Sequence, residues 1–268
     1  METFILNNGH AVPVLGSGTN SFAKTDGKYT GDTKDVLSAI RAGYRFFDTA
    51  EGYGNEEAIG KGIKESGIPR EEFFITTKMA TRKWGSDEEP HQNRETAREA
   101  IERSLKKLDT TYIDLYLIHM PWGNKEEARE VWDELTVWYE KGILRNIGVS
   151  NFTKDDMEDL LAYCRIRPAV NQIRINPDNK NEEMTEYLQE QGIVPMAWGP
   201  LRFEKGREDL SEIGEKYGKN WAQVILRYNF QKGFISIPKS HSFEHQKSNL
   251  EIFDFELTDE EMKRIEEL

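Results

Sequence analysis

Four side chains of different acid–base character stand at or just after the ends of three strand-like segments. Asp48 and Tyr53 follow the first segment, Lys78 lies near the end of the second, and His119 ends the third. A phenol that shares a pocket with an ammonium, a carboxylate and an imidazole can donate a proton near neutral pH, because the ammonium favours ionisation of a tyrosine whose ordinary pKa is about 10. The types and spacing of these residues therefore predict proton-transfer chemistry.

The segments that carry these side chains belong to a longer alternation of strands and helices. Helical periodicity is found at 33–43, 55–66, 93–107, 125–141, 154–163, 180–191, 207–217 and 220–231, with short β-rich runs between. Such alternation predicts a parallel sheet covered by helices, and about eight strands can close into a (β/α)8 TIM barrel with its chemistry at the carboxyl ends of the strands. Periodicity alone does not show closure, so an open doubly wound sheet is the competing fold. Its glycine-rich phosphate loop is missing, since Thr-Asn-Ser follows Gly16-Ser-Gly18.

Both ends of the chain extend this pattern. The runs 3–6 and 11–15, joined through Asn8-Gly9, predict an N-terminal β-hairpin. Thr258 and Glu261 have the spacing of a capping box and predict a C-terminal helix. No linker-like or low-complexity stretch divides the chain, so we expect residues 1–268 to form a single domain.

The composition excludes several classes of function. The net charge of −12 argues against binding to nucleic acid or to an anionic membrane, which needs a basic face. Cys164 is the only cysteine, so we expect no internal disulfide, no cysteine-based metal site and a reducing compartment. There is neither a secretory signal nor an apolar run of membrane-spanning length. We expect a soluble cytoplasmic protein, with a monomer as the default.

Five motifs, in this order, resemble those of the aldo-keto reductase family. They are Asp48-Thr-Ala-Glu-Gly-Tyr53-Gly-Asn-Glu-Glu, Phe74-Ile-Thr-Thr-Lys78, Asp114-Leu-Tyr-Leu-Ile-His119-Met-Pro121, Ile147-Gly-Val-Ser-Asn151-Phe and Ile237-Pro-Lys-Ser240. The resemblance extends from about residue 4 to residue 268 and implies an eight-stranded barrel that reduces carbonyl compounds with NADPH. The segment 194–201 is most similar to bacterial reductases of diketo acids and sugars.

The resemblance also implies a role for each of the four side chains. Tyr53 would be the general acid that protonates the carbonyl oxygen, and Lys78, paired with Asp48, would lower the pKa of Tyr53. His119 would orient and polarise the carbonyl. These roles agree with the physics of the reaction, because hydride addition builds negative charge on oxygen and fixed donors stabilise that charge.

The same resemblance implies a cofactor site at the remaining strand ends. Ser150, Asn151 and Gln172 would bind the nicotinamide carboxamide, Trp198 would stack on the ring, and the backbone of Gly199 and Leu201 would contact the pyrophosphate. The complete set of expected contacts is Thr19, Asp48, Ser150, Asn151, Gln172, Trp198, Gly199, Leu201, Lys239, Ser240, His245 and Asn249.

His245 departs from the family pattern, which usually has an arginine for the adenosine 2′-phosphate. An imidazole offers fewer donors than a guanidinium and is mostly uncharged at neutral pH. We therefore expect NADPH to be preferred through Lys239 and Ser240, but by a smaller margin, with NADH usable. His241 and His245 have the i, i+4 spacing of zinc ligands, yet no third ligand is near in sequence, so we expect no metal.

The expected substrate pocket is thin-walled and polar. Beside Tyr53 and His119 it would contain Asn20, Ala80 and Met120, where relatives often have bulky aromatics. Trp84 and Trp122 lie in the adjoining loops and could restore an aromatic wall or pack against a helix. We expect small aldehydes and activated ketones, including dicarbonyls, keto esters and keto sugars, as substrates. The physiological substrate, the direction in the cell and the roles of Arg174 and Asn176, which replace a Glu and a His of the bacterial reductases, stay open.

Two other functions compete with this interpretation. One is a nicotinamide-binding regulatory or sensor subunit with little turnover, against which the intact tetrad counts. The other is a barrel of different chemistry, such as a phosphate-binding isomerase or lyase, which would need a glycine-rich phosphate loop after the seventh or eighth strand. Pro200 and Pro238 occupy those places.

Overall fold

The computed structural model describes residues 2–81 and 91–268. Within them the strands are β1 (Thr3–Ile5), β2 (Ala11–Pro13), β3 (Ser17–Gly18), β4 (Lys24–Thr25), β5 (Lys28–Tyr29), β6 (Phe46–Asp48), β7 (Phe74–Met79), β8 (Leu115–Ile118), β9 (Ile147–Ser150), β10 (Val170–Arg174), β11 (Val194–Trp198) and β12 (Ile235–Ile237). The helices are α1 (Lys34–Ala42), α2 (Glu56–Glu65), α3 (Arg94–Leu108), α4 (Lys125–Glu140), α5 (Lys154–Tyr163), α6 (Glu182–Glu190), α7 (Arg207–Glu215), α8 (Trp221–Gln231), α9 (Phe243–Leu250) and α10 (Asp259–Glu266).

Eight parallel strands form one sheet, in the order β12-β11-β10-β9-β8-β7-β6-β3. The two outer strands meet and close the barrel, because the N–H of Gly16 donates to the carbonyl of Ser236 at 2.9 Å and the N–H of Ser236 donates to Val14 at 2.9 Å. Gly18 allows the same close approach, since a Cβ there would lie 2.9 Å from the carbonyl oxygen of Ile237. The predicted (β/α)8 barrel is confirmed, and the open sheet is wrong.

The core is divided into an interior and an outer layer. The interior of the barrel is filled by Leu6, Val12, Phe46, Phe74, Leu115, Leu117, Ala169, Val170, Met196, Ile235 and Ile237. Leu6 and Val12 come from the β1–β2 hairpin, which packs into the interior cluster and is tied to the barrel by a 2.9 Å bond from Asn7 Nδ2 to the carbonyl of Pro168. The predicted hairpin therefore covers the end of the barrel at which the strands begin.

The outer layer lies between strands and helices and fixes the predicted helical faces. On α4, Val131, Trp132 and Leu135 are buried against the sheet. Thr258 with Glu261 caps α10 as predicted. The antiparallel pair β4–β5 was not predicted, although its turn dipeptide Asp26-Gly27 has positive φ at both residues (50° and 74°), as a tight hairpin turn requires.

No helix among residues 2–81 and 91–268 combines the length and apolarity that crossing a bilayer requires.

Candidate active site

The twofold alternation of β-strands directs three of the four predicted catalytic side chains into the barrel. On β7, Phe74 points into the interior cluster, so Lys78, four residues later, points the same way. Phe46 fixes the same inward face for Asp48 on β6, and Leu117 fixes it for His119 just beyond β8. The three polar groups thus meet at the carboxyl end of the barrel.

Asp48 and Lys78 form a fully buried ion pair. Lys78 Nζ donates to Asp48 Oδ1 at 2.6 Å and to the carbonyl of Thr49 at 2.9 Å, and its side chain has no exposed surface. Gln172 Nε2 donates to the other carboxylate oxygen of Asp48 at 2.6 Å. Burial raises the pKa of Asp48, and the charge of Lys78 and the bond from Gln172 oppose that rise. For Lys78, burial acts to lower the pKa, but the negative charge of Asp48 and the interaction with Tyr53 outweigh it and the pKa is raised.

Tyr53 reaches the pair from a one-turn 3₁₀ helix, Glu51–Tyr53, directly after β6. Its hydroxyl lies 3.5 Å from Lys78 Nζ, and its ring meets the ring of His119 edge-on, with centroids 5.5 Å apart. Burial raises the pKa of Tyr53, while the ammonium of Lys78 opposes this rise without cancelling it. The lowering by Lys78 that the sequence predicts is thus present but is the smaller effect. The hydroxyl is protonated at neutral pH, as a proton donor must be.

His119 completes the group. It is buried, with 7% of its surface exposed, and it lines the same cavity as Tyr53. The structure therefore brings all four predicted catalytic side chains together.

Trp198 and Asn151 are joined across the site. Trp198 Nε1 donates to Asn151 Oδ1 at 2.9 Å, and Asn151 Nδ2 donates to the carbonyl of His119 at 3.1 Å. Asn151 has a positive φ of 59°, a conformation that asparagine adopts more readily than most residues. Its amide therefore holds the indole at the end of β11, a role that the sequence did not suggest.

These side chains border a cavity of about 560 Å³ at the carboxyl end of the barrel. From the predicted sites it is lined by Thr19, Asn20, Asp48, Tyr53, His119, Met120, Ser150, Asn151, Gln172, Trp198, Gly199, Leu201 and Lys239. Lys78 lies beneath this surface. The volume of the cavity falls in the range of roughly 300–1,000 Å³ that is typical of small-molecule and cofactor sites.

The remaining predicted cofactor residues lie outside the lining of this cavity. Ser240 accepts a hydrogen bond from the N–H of Ser242, which caps α9, and His245 is exposed on the first turn of that helix. Asn249 is buried. These three positions surround the start of α9 rather than the cavity itself.

The predicted substrate residues are divided in the same way. Asn20 and Met120 line the cavity, whereas Ala80 does not; its N–H donates to the carboxylate of Glu51 at 3.2 Å. Trp122 donates to Glu127 of α4 at 3.1 Å, so it packs against a helix. Trp84 lies outside the described residues.

Two features, one lining the cavity and one bonded to a residue that lines it, were missed from the sequence. Arg202 borders the cavity beside Lys239, and Ser21 accepts a hydrogen bond from Lys239 Nζ at 2.8 Å. Arg174 and Asn176, whose roles were open, both bond to the carbonyl of Arg202, at 3.4 and 3.1 Å, and therefore brace the loop after β11. An arginine directly after Gly199-Pro200-Leu201 was a signal that could have been noticed.

The cavity fits a nicotinamide dinucleotide at both ends. Near the catalytic group it offers the indole of Trp198 and the carbonyl Oε1 of Gln172, which accepts no hydrogen bond within the described parts of the chain. At the other end it offers the cations Lys239 and Arg202. The indole suits the flat nicotinamide ring, the carbonyl of Gln172 suits its carboxamide, and the two cations suit the phosphates.

Comparison with known proteins decides the family. The sequence model of the Aldo/keto reductase family matches residues 14–203 and 202–268. The chain belongs to the aldo-keto reductase family. It is similar to a glyoxal reductase of Bacillus subtilis, with 42% identity over 100% of this chain and 92% of that protein.

Solved structures agree with this assignment. The aldo/keto reductase of Brucella melitensis superposes with a TM-score of 0.90 and 38% identity, covering 99% of this chain and 98% of that one. An aldo-keto reductase of Bombyx mori in complex with NADP gives a TM-score of 0.87 and 34% identity, covering 99% and 92%. The protein is an oxidoreductase that reduces carbonyl groups with NADPH.

Proposed function

We propose that this chain reduces small aldehydes and dicarbonyl compounds to alcohols, with Tyr53 as the proton donor. The observation that carries the proposal is the position of the Tyr53 hydroxyl, which lies 3.5 Å from the ammonium of a buried Lys78–Asp48 pair and borders the same cavity as His119. NADPH, when bound, supplies the hydride that this chemistry requires.

Each side chain has a defined task in this proposal. Tyr53 holds its proton on the phenolic oxygen at neutral pH and donates it to the carbonyl oxygen of the substrate, where negative charge develops. Lys78 stabilises the phenolate that results, and Asp48 keeps Lys78 charged although both side chains are buried. His119, whose ring meets the ring of Tyr53 edge-on, orients the carbonyl of the substrate.

The cofactor contacts follow from the lining of the cavity. Trp198, held by Asn151, would form the platform for the nicotinamide, and Gln172 Oε1 would accept from its carboxamide. Gln172 also bonds to Asp48, so the same side chain would join the cofactor to the catalytic group. Lys239 would bind phosphate, and Ser240, His245 and Asn249 would surround the adenosine end.

The substrate class rests on the pocket wall and on one relative. Asn20 and Met120 are smaller or more polar than the aromatics expected there, and the cavity is open. The similar protein of Bacillus subtilis is named a glyoxal reductase. Small dicarbonyls such as methylglyoxal therefore fit best.

We further propose that residues 1–268 work as one domain, as a cytoplasmic monomer without a nucleic-acid partner. NADH would be the weaker cofactor.

A turnover measurement tests the proposal. The protein is mixed with NADPH and either methylglyoxal or 4-nitrobenzaldehyde, and the absorbance of the reduced cofactor is followed. We expect turnover with both and a higher kcat/KM for the small dicarbonyl. Binding of NADPH without turnover of any aldehyde would instead support a regulatory subunit, which no contact among the described residues favours.

A further inference from the structure

Arg202 lies on the rim of the active-site cavity, in the loop that follows β11. Its N–H donates to the carbonyl of Gly199 at 3.0 Å and closes a tight turn in which Gly199 has a positive φ of 62°. A Cβ on Gly199 would lie 3.3 Å from Cδ of Arg202, so the arginine side chain folds back over the glycine. This fold directs the side chain along the cavity that begins at Trp198.

The backbone of Arg202 is held firmly. Its carbonyl accepts hydrogen bonds from Asn176 Nδ2 at 3.1 Å and from Arg174 Nη2 at 3.4 Å, and Asn176 also bonds to the carbonyl of Gly199 at 3.1 Å. These contacts fix both ends of the turn. The arginine is therefore presented on a braced loop rather than on a free one.

The guanidinium of Arg202 is exposed and has no hydrogen-bond or ion-pair partner within residues 2–81 and 91–268. The second cation of the cavity, Lys239, likewise has no carboxylate within ion-pairing distance among the described residues. Burial and the nearby charge of Arg202 lower the pKa of Lys239, which shows that the two cations lie close enough to repel each other.

A short relay holds Lys239 in place without neutralising it. Lys239 Nζ donates to Ser21 Oγ at 2.8 Å, Ser21 Oγ lies 2.9 Å from His241 Nε2, and His241 Nδ1 lies 3.0 Å from Asp35 Oδ2. An ammonium can only donate, so Ser21 Oγ accepts from Lys239, and the ring of His241 joins this hydroxyl to Asp35. The only carboxylate of the relay is thus two side chains away from the ammonium.

We propose that Arg202 binds the pyrophosphate of the dinucleotide, together with Lys239. The inference rests on the proposed cofactor site and adds a residue to it. Arg202 lines the same cavity as Trp198 and Lys239, and it directly follows Leu201 in the turn whose backbone is expected to contact the pyrophosphate. Two cations that line one cavity without carboxylate partners are stabilised by an anion, and a guanidinium suits phosphate oxygens because it can form two parallel bonds.

A binding titration tests this inference without any turnover. Quenching of tryptophan fluorescence is measured for NADPH and for NADH, at one ionic strength, with the wild type and with Arg202→Met. The pyrophosphate is common to both dinucleotides, so we expect both Kd values to rise by the same factor, about 10-fold or more, as for the loss of a charged hydrogen bond. Arg202→Lys should recover part of the loss.

Lys205→Met is the matched control, because Lys205 lies in the same exposed loop but does not line the cavity. It removes one positive charge and should leave both Kd values within about twofold. Unchanged binding by Arg202→Met, or an equal loss in Lys205→Met, would overturn the inference. Loss of NADPH binding alone would also overturn it, because the arginine would then face the 2′-phosphate. If the wild type bound neither dinucleotide, the cofactor site itself would be refuted.

Discussion

Replacement of Lys78 by methionine separates the structural and chemical roles of the buried pair. The side chain of Lys78 is fully buried and its ammonium lies 2.6 Å from Asp48. Removing one partner of such a pair leaves an uncompensated buried charge, which costs about 3–5 kcal/mol of stability. The bond to the carbonyl of Thr49 is lost as well. We expect Lys78→Met to lower the free energy of unfolding by this amount, as measured by urea denaturation.

The double variant Asp48→Asn with Lys78→Met provides the test of that reasoning. Without the carboxylate there is no unpaired charge, so we expect about 2 kcal/mol or more of the lost stability to return. Turnover should not return, because Tyr53 would still lack the ammonium that stabilises its phenolate. The expected kcat of both variants is about 10²-fold or more below that of the wild type.

Two outcomes would refute this account of the pair. If Lys78→Met cost less than about 1 kcal/mol, the pair would not be ionised in a buried site. If the double variant recovered turnover together with stability, Lys78 would serve the fold and not the proton transfer. The measurements use the same preparations, with methylglyoxal as substrate and unfolding followed by circular dichroism.

Three further predictions concern the adenosine end, the C-terminal helix and helix packing. His245→Arg should raise the ratio of kcat/KM for NADPH to that for NADH by about tenfold, since a guanidinium can bind the 2′-phosphate with two bonds; an unchanged ratio would show that His245 does not face this phosphate. The second prediction concerns Glu261 of α10. Burial acts to raise the pKa of this carboxyl group, but hydrogen bonds from Tyr217, Thr258 and Lys216 outweigh burial and lower the pKa from 4.5 to about 2. A lowered folded-state pKa stabilises the protein above pH 4.5 and loses this effect as the pH falls towards 2, so Glu261→Gln should remove about 1–3 kcal/mol at pH 7 and much less at pH 2.5 in urea unfolding; equal losses at both pH values would contradict it. Gly60→Ala should lower stability by roughly 2 kcal/mol or more, because its Cβ would lie 2.3 Å from the carbonyl oxygen of Leu108 where α2 packs on α3; a thermal shift of less than about 1 °C would disprove that contact.

The catalytic group could be predicted because its geometry follows from local rules. On each strand a buried aromatic or leucine fixes the inward face, and the alternation then carries Asp48, Lys78 and His119 to the same end of the barrel. Helix bounds were also predictable within a few residues from apolar spacing and caps; α5 was predicted at 154–163 and is observed there.

The features that escaped prediction depend on contacts between distant parts of the chain. Ser21 and His241 are separated by 220 positions, and only closure of the barrel brings them together. The bond between Trp198 and Asn151 has the same origin. The raised pKa of Tyr53 depends on how much protein surrounds the hydroxyl, which no spacing of residues reveals.

A single-turnover measurement on Tyr53→Phe tests the central claim most directly. The ring and its contact with His119 remain, and only a hydroxyl whose bond to Lys78 is long, at 3.5 Å, is removed. We predict that oxidation of bound NADPH by methylglyoxal slows by about 10²- to 10⁴-fold, while the Kd for NADPH stays within about twofold and the exposed control Tyr29→Phe behaves as the wild type. Wild-type rates in Tyr53→Phe would show that another group donates the proton.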